Sequence, residues 1–175
     1  LDLTAVTSGM NNNLYQVIVS SSTCAATVTS SAATLSISDP ASISAQPAGV
    51  TVCAGSNASF SVTAAGTNIT YQWQVSTDGG TNFSDISGET ASTLNLTAVT
   101  GSLNNNQYRV IVFSCNPTGL NSTAVTLTVN SAASIGTQPA NVSACTGTDA
   151  SFTTAATGTT LSYQWQVSTN GGTSY

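Results

Sequence analysis

The sequence predicts an all-β fold in which two-sheet sandwiches repeat in tandem with a period of about 92 residues. Three observations predict it. The stretch YQWQVSTDGG (Tyr71–Gly80) returns as YQWQVSTNGG (Tyr163–Gly172), 92 positions further on. Apolar and polar residues alternate with a period of two in every regular run, the pattern of a half-buried strand rather than a helix. Those runs are short, rich in β-branched residues and separated by Gly, Asn and Pro clusters. Strands of this kind bury their apolar faces as two facing sheets around one core.

The duplication runs through the whole chain. LDLTAVTSGMNNNLYQVIV (Leu1–Val19) matches LNLTAVTGSLNNNQYRVIV (Leu94–Val112) at an offset of 93. ATLSIS (Ala33–Ser38) matches VTLTVN (Val125–Asn130), and Gln46–Thr67 matches Gln138–Thr159, both at 92. With strands lettered A to G, residues 1–38 form the C-terminal half (E-F-G) of one repeat. Residues 39–130 form a complete repeat, and residues 131–175 form the N-terminal half (A-B-C) of the next. Within the complete repeat, FSVTA (Phe60–Ala64), YQWQV (Tyr71–Val75), TLNLTAV (Thr93–Val99), YRVIV (Tyr108–Val112) and AVTLTV (Ala124–Val129) read as strands. Asp78–Gly80 reads as a tight hairpin turn. No segment has the period of an amphipathic helix.

The complete repeat resembles an immunoglobulin-like domain: Phe60 and Val62 on strand B, Trp73 on strand C, Leu94, Leu96 and Val99 on strand E, and Tyr108 opening strand F. In that pattern a cysteine stands about a dozen residues before the tryptophan and another two after the corner tyrosine. Here these positions hold Val62 and Val110, so apolar packing has to join the sheets. The expected core is Val62, Trp73, Leu96, Tyr108 and Val110, with Trp165 in the next repeat. A narrower resemblance is to the tandem immunoglobulin-like repeats of very large secreted surface proteins, adhesins and filament proteins, of gliding Bacteroidetes-type bacteria. It is carried by QP…VTVCAGSNASF, YQWQVS…GG, NNNQYRVIV…C and a closing AVTLTV. It implies fold and an extracellular, cell-surface setting. It implies no active site.

Composition removes most other functions. Charged residues make up 4% of the chain, Arg109 is the sole Lys or Arg, and there is no histidine. Neutralising phosphates needs several cations on one face, so nucleic-acid binding and polybasic membrane attachment are excluded. Histidine bases and lysine nucleophiles are missing, and the carboxylates are scattered apart from Asp85 and Glu89, which nothing desolvates. The chain reads as a non-enzyme with no catalytic residue, cofactor or metal site. No apolar run approaches the roughly 18–20 residues of a membrane span, so no membrane insertion is expected. The six N-x-Ser/Thr motifs, from Asn57 to Asn141, fit chance in so Asn-, Ser- and Thr-rich a chain. A surface of Ser, Thr and Asn hardly responds to salt or pH, which suits a structural or adhesive module. The alternative is a carbohydrate-binding or spacer module of a large secreted enzyme, with Phe83, Phe113 and Tyr175 as its aromatic candidates and its glycan unspecified.

Four cysteines remain. Cys53 and Cys145 precede the A′–B turn; Cys24 and Cys115 follow strand F. The two places lie at opposite ends of a sandwich, too far apart for the roughly 7 Å Cα separation a disulfide tolerates. The expectation is therefore inter-repeat or inter-copy disulfides among Cys24, Cys53, Cys115 and Cys145, against the plainer reading of buried free thiols. The expected partners are neighbouring repeats or copies, head to tail. The half-repeats at 1–38 and 131–175 are completed either by continuation of one chain or by another copy.

Overall fold

The structure, a computed structural model, describes residues 1–175. Residues 1–38 contribute β1 (Leu14–Tyr15), β2 (Ile18–Ser20), β3 (Thr27–Thr29) and β4 (Ala33–Thr34). The central repeat contributes β5 (Ser42–Ala45), β6 (Val50–Cys53), β7 (Ala58–Ser61), β8 (Thr63–Ala65), β9 (Thr70–Ser76), β10 (Ser84–Asp85), β11 (Thr93–Leu96), β12 (Gln107–Phe113), β13 (Leu120–Asn121) and β14 (Val125–Asn130). Then come β15 (Ser134–Thr137) and β16 (Ala155–Thr157). The only helical turns are short 3-10 pieces at Ser8–Met10 and Gly101–Leu103. The fold is all-β, as the period-two alternation requires.

The chain divides into two compact units, one of 1–48, 60–94 and 107–125, the other of 49–59, 95–106 and 126–175. In the first unit β9 pairs antiparallel with β12, placing Val110 opposite Trp73 and Tyr108 opposite Val75. β10 extends β9 on its other side, and β13 also pairs with β12. Phe60, from the opposing layer, stacks on Tyr108 with ring centroids 5.0 Å apart and tilts against Trp73 at 6.4 Å. Phe60, Trp73, Leu94, Tyr108 and Val110 are all buried, and the Trp73 Nε1–H donates to Ala91 O at 2.9 Å. A strand-C tryptophan buried against the opposite sheet is the mark of an immunoglobulin-like sandwich. Val62 and Val110, both buried, stand where that pattern has its cysteines. Apolar burial replaces the covalent bond there.

In the second unit β14 runs parallel to β6, from Leu127↔Val50 to Asn130↔Cys53. The Asn104–Asn106 corner is laced to β14: Asn105 N–H donates to Leu127 O, Leu127 N–H to Asn106 O, and Val129 N–H to Asn104 Oδ1. Asn105 has a φ of +68°, a left-handed conformation that asparagine adopts more readily than other side-chain-bearing residues. Asn12 of the first unit has φ +65° and the same bonding, with Asn12 N–H on Leu35 O and Ile37 N–H on Asn11 Oδ1. Positive φ recurs at the repeat spacing elsewhere too, at Ala5 and Ala98 and at Asn68 and Thr160. The repeat in the sequence is therefore a repeat in backbone conformation.

Three expectations need correction. Trp165 is 52% exposed rather than core. The YQWQV copy at 163–167 forms no strand. Leu96 is only half-buried; Leu94 and Val99 take the inward positions of that segment. The turn at Asp78–Gly80 is also longer than a tight hairpin, since β9 ends at Ser76 and β10 starts at Ser84.

Candidate functional site

The feature built twice over is the docking of the linkers. In the first unit Asp39 N–H donates to Thr67 Oγ1 at 2.9 Å, and Thr67 N–H donates back to Asp39 O at 3.1 Å. In the second unit Ser131 N–H donates to Thr159 Oγ1 at 2.9 Å, and Thr159 N–H donates back to Ser131 O at 3.1 Å. Each threonine follows a glycine in a positive-φ conformation, Gly66 at +149° and Gly158 at +146°. A Cβ on Gly66 would lie 3.0 Å from Pro40 O and 3.1 Å from the Ala41 Cα; on Gly158 it would lie 3.0 Å from Ala132 O and 2.9 Å from the Ala133 Cα. The backbones touch where only glycine fits.

The first linker is held further. Ala41 N–H donates to Ser114 Oγ at 2.8 Å, and the Cys115 thiol donates to Ser38 O at 3.5 Å. A short Ser-, Ala- and Asp-containing linker left to itself would be a flexible coil. Here its polar backbone groups find partners on the strand turns of the next repeat. Sequence reading missed the clamp. The signal was present in the Gly-Thr pairs kept at 66–67 and 158–159, and in the unchanged NNN runs.

The four cysteines are free and exposed, not the buried hydrophobes of the plainer reading. Cys53 closes β6 in register with Asn130, and Cys115 sits on the Ser38 carbonyl. No two thiols are joined within the chain. Nothing brings a catalytic set together either. Arg109 is occupied: its Nε–H donates to Gln74 Oε1 at 2.8 Å while its guanidinium lies 4.0 Å from the Phe83 ring centre. Gln74 Nε2–H passes the chain of bonds on to Asp85 Oδ1 at 2.7 Å, so the one cation and one half of the Asp85–Glu89 pair brace neighbouring strands.

The Asp78 carboxyl is held well below the ordinary carboxylate range, at about 2. Its carboxylate accepts the Asn82 backbone N–H, the Ser76 hydroxyl and the Asn82 side-chain amide, bonds that favour the charged form. It organises the loop before β10 and is not poised for chemistry.

Of the aromatic candidates, Phe83 lies under Arg109 and Phe113 is half-buried, while Tyr175 is exposed. Phe152, Tyr163 and Trp165 are exposed as well, and of these the sequence reading placed Trp165 inside. Tyr163 and Trp165 line a groove of about 460 Å³ with Ile135, Thr154, Ala156 and Leu161.

A family described as a domain of unknown function, DUF8696, matches residues 41–131, just over half of the chain. The chain belongs to that family. No curated protein matches this DUF8696 sequence. Among solved structures, it is similar to the I-band fragment I67-I69 from titin, with 22% identity over 58% of this chain and 36% of that one, at a TM-score of 0.45. It is similar to Sidekick-1 immunoglobulin domains 1-4, with 16% identity over 78% and 38%, at 0.47. It is also similar to a chain from Dpr2 Ig1-Ig2 in complex with DIP-Theta Ig1-Ig3, with 19% identity over 72% and 43%, at 0.47. The DUF8696 chain thus spans less than half the length of each. The fold assignment rests on the strand pairing and core described above.

Proposed function

We propose that this DUF8696 chain is a structural or adhesive module whose immunoglobulin-like repeats are joined end to end into a stiff rod on the outside of a bacterial cell. The observation that carries this reading is the linker clamp, made at both junctions by the same reciprocal bonds. A linker bonded through its backbone transmits orientation from one repeat to the next, whereas a free one would let the repeats swing. A surface with almost no charge leaves little for salt to screen, so the stiffness belongs to backbone and hydroxyl bonds. The resemblance to secreted surface repeats supports the location. The sugar-binding alternative is weaker: Phe152, Tyr163 and Trp165 are the repeat equivalents of Phe60, Tyr71 and Trp73, residues used for packing.

The test is small-angle scattering of the full chain and of the Gly66→Ala/Gly158→Ala variant. A maximum dimension unchanged from low to molar salt is expected for the natural chain. The variant should show a broader, shorter distance distribution, because each alanine forces the linker off its turn. A natural chain that scatters as flexibly as the variant overturns the rod. Antibody labelling of intact cells tests the location; signal only after lysis would refute it.

A further inference from the structure

We infer that the Asn170–Gly171 turn is a self-modifying site: Asn170 loses its side-chain nitrogen through a succinimide and becomes aspartate or isoaspartate, with Ser168 and Ser174 promoting the step. No enzyme or cofactor is needed. Each event leaves one more negative charge on a chain whose net charge is −5.

The sequence isolates the site, because Asn170 is the only asparagine followed by glycine. A succinimide forms when the backbone nitrogen of the next residue attacks the asparagine Cγ. A side chain on that next residue crowds the approach, and glycine has none. Gly171 N–H makes no hydrogen bond that would hold it back, and nothing lies within 4 Å of where its Cβ would stand. Asn170 and Gly171 are both exposed. That accessibility belongs to the turn itself: Asp78 and Gly79, the equivalents inside the complete repeat, are exposed too, and the two glycines have φ of +69° and +75°.

The neighbouring serines supply the assistance. The Ser168 hydroxyl and the Ser174 N–H donate to Asn170 Oδ1 at 2.8 and 3.0 Å. Two donors on that oxygen stabilise the negative charge that gathers there as Cγ becomes tetrahedral. Ser168 Oγ is itself fixed by accepting Gly172 N–H at 2.8 Å. Asn170 Nδ2–H donates to Ser174 Oγ at 2.8 Å, so a hydroxyl stands against the departing nitrogen and hands it a proton. Gly171 N gives its own proton to hydroxide and bonds to Cγ. The Cγ–Nδ2 bond then breaks and ammonia leaves. Water adds to either ring carbonyl and reopens the ring, so one water is consumed, and one carboxylate and one ammonium are formed.

The product fits the place it is made. Asp78 occupies the equivalent position with matching bonds, accepting from the Ser76 hydroxyl at 2.7 Å and the Asn82 N–H at 2.9 Å. Those bonds keep its carboxyl charged down to a pKa of about 2. The aspartate form of Asn170 thus inherits a turn already shaped for a carboxylate. The site records the age of the chain as charge on a nearly uncharged surface.

The experiment incubates the full chain in mildly alkaline buffer made with heavy-oxygen water and maps chymotryptic peptides by mass. We expect one acidic species to accumulate, carrying one heavy oxygen at position 170 in a mixture of aspartate and isoaspartate, and Asn170→Gln to abolish it. Ser174→Ala, which keeps the backbone donor, should slow the conversion severalfold. Asp78→Asn creates the same dipeptide in the same turn with Asn82 in place of the serine, and position 78 should convert severalfold more slowly than position 170. Retention of Asn170 throughout the incubation, or conversion first at other asparagines, would overturn the inference. A Ser174→Ala rate equal to that of the natural chain, or equal rates at positions 78 and 170, would overturn the assistance and leave the dipeptide acting alone.

Discussion

Phe60–Trp73 and Phe152–Trp165 are the same pair of rings made twice. Their centroids lie 6.4 Å apart in both, at interplanar angles of 45° and 44°. Yet Phe60 and Trp73 are 1% and 0% exposed, while Phe152 and Trp165 are 55% and 52% exposed. Ring geometry is thus set locally, by segments B and C and the turn between them. Burial comes from elsewhere in the same unit, where Tyr108 stacks on Phe60 and β12 pairs alongside Trp73. The contrast separates two things that are usually inseparable in a core, shape and desolvation, and predicts that identical residues are worth different amounts.

The largest effect should be at the tryptophans. Trp73→Ala should lower unfolding free energy by about 3–5 kcal/mol, since it removes a fully enclosed ring and leaves a cavity. Trp165→Ala should change it by no more than about 0.5 kcal/mol, as for other exposed positions. Urea unfolding followed by far-ultraviolet circular dichroism measures both; equal losses would show that the two rings are equally enclosed in solution.

Next come the asparagine corners, where the hydrogen bond is again matched and the surroundings differ. Asn104 Oδ1 accepts from Val129 N–H and Asn11 Oδ1 from Ile37 N–H, both at 2.8 Å, the first part-buried and the second exposed. Asn104→Ala should cost about 1–2 kcal/mol, because it strands a backbone donor away from water, and Asn11→Ala about 0.5 kcal/mol or less. Hydrogen exchange at the Val129 and Ile37 amides reads each site separately.

The smallest effect is at the turn after strand C. Asp78 has a folded-state pKa of about 2 against an ordinary 3.8, so its stabilising contribution is complete above the ordinary value. That contribution is lost as pH falls from there through the folded value. Asn170 builds the equivalent turn without charge, accepting from the Ser168 hydroxyl and the Ser174 N–H. Asp78→Asn should therefore keep the turn and remove the stability loss below pH about 4, seen as thermal midpoints that no longer fall with acid. A variant that still loses stability over that interval would place the titrating group elsewhere.

Much of this was legible in the sequence. Period-two alternation and the 92-residue duplication specify strands and their order, and the immunoglobulin-like resemblance marks the two valines that stand in for cysteines. Trp73, Tyr108, Val62 and Val110 could be placed in the core from the resemblance to an immunoglobulin-like domain, whose pattern assigns those positions inward. Trp165 could not be placed so: the letters around it are those around Trp73, yet it is 52% exposed, and its burial is not written in those letters. The clamp escaped for another reason. It is made by backbone groups and one threonine hydroxyl, and no composition or periodicity marks a backbone bond; only the glycine before each threonine hints that two main chains must touch.

The single arginine has a consequence of its own. It lies inside β12, held by Gln74 and stacked on Phe83, and the chain has no lysine. Trypsin-class proteases therefore find one scissile bond in 175 residues, already occupied in a sheet they would have to unravel before cutting. In surroundings crowded with secreted digestive enzymes, dispensing with cations is itself a form of armour.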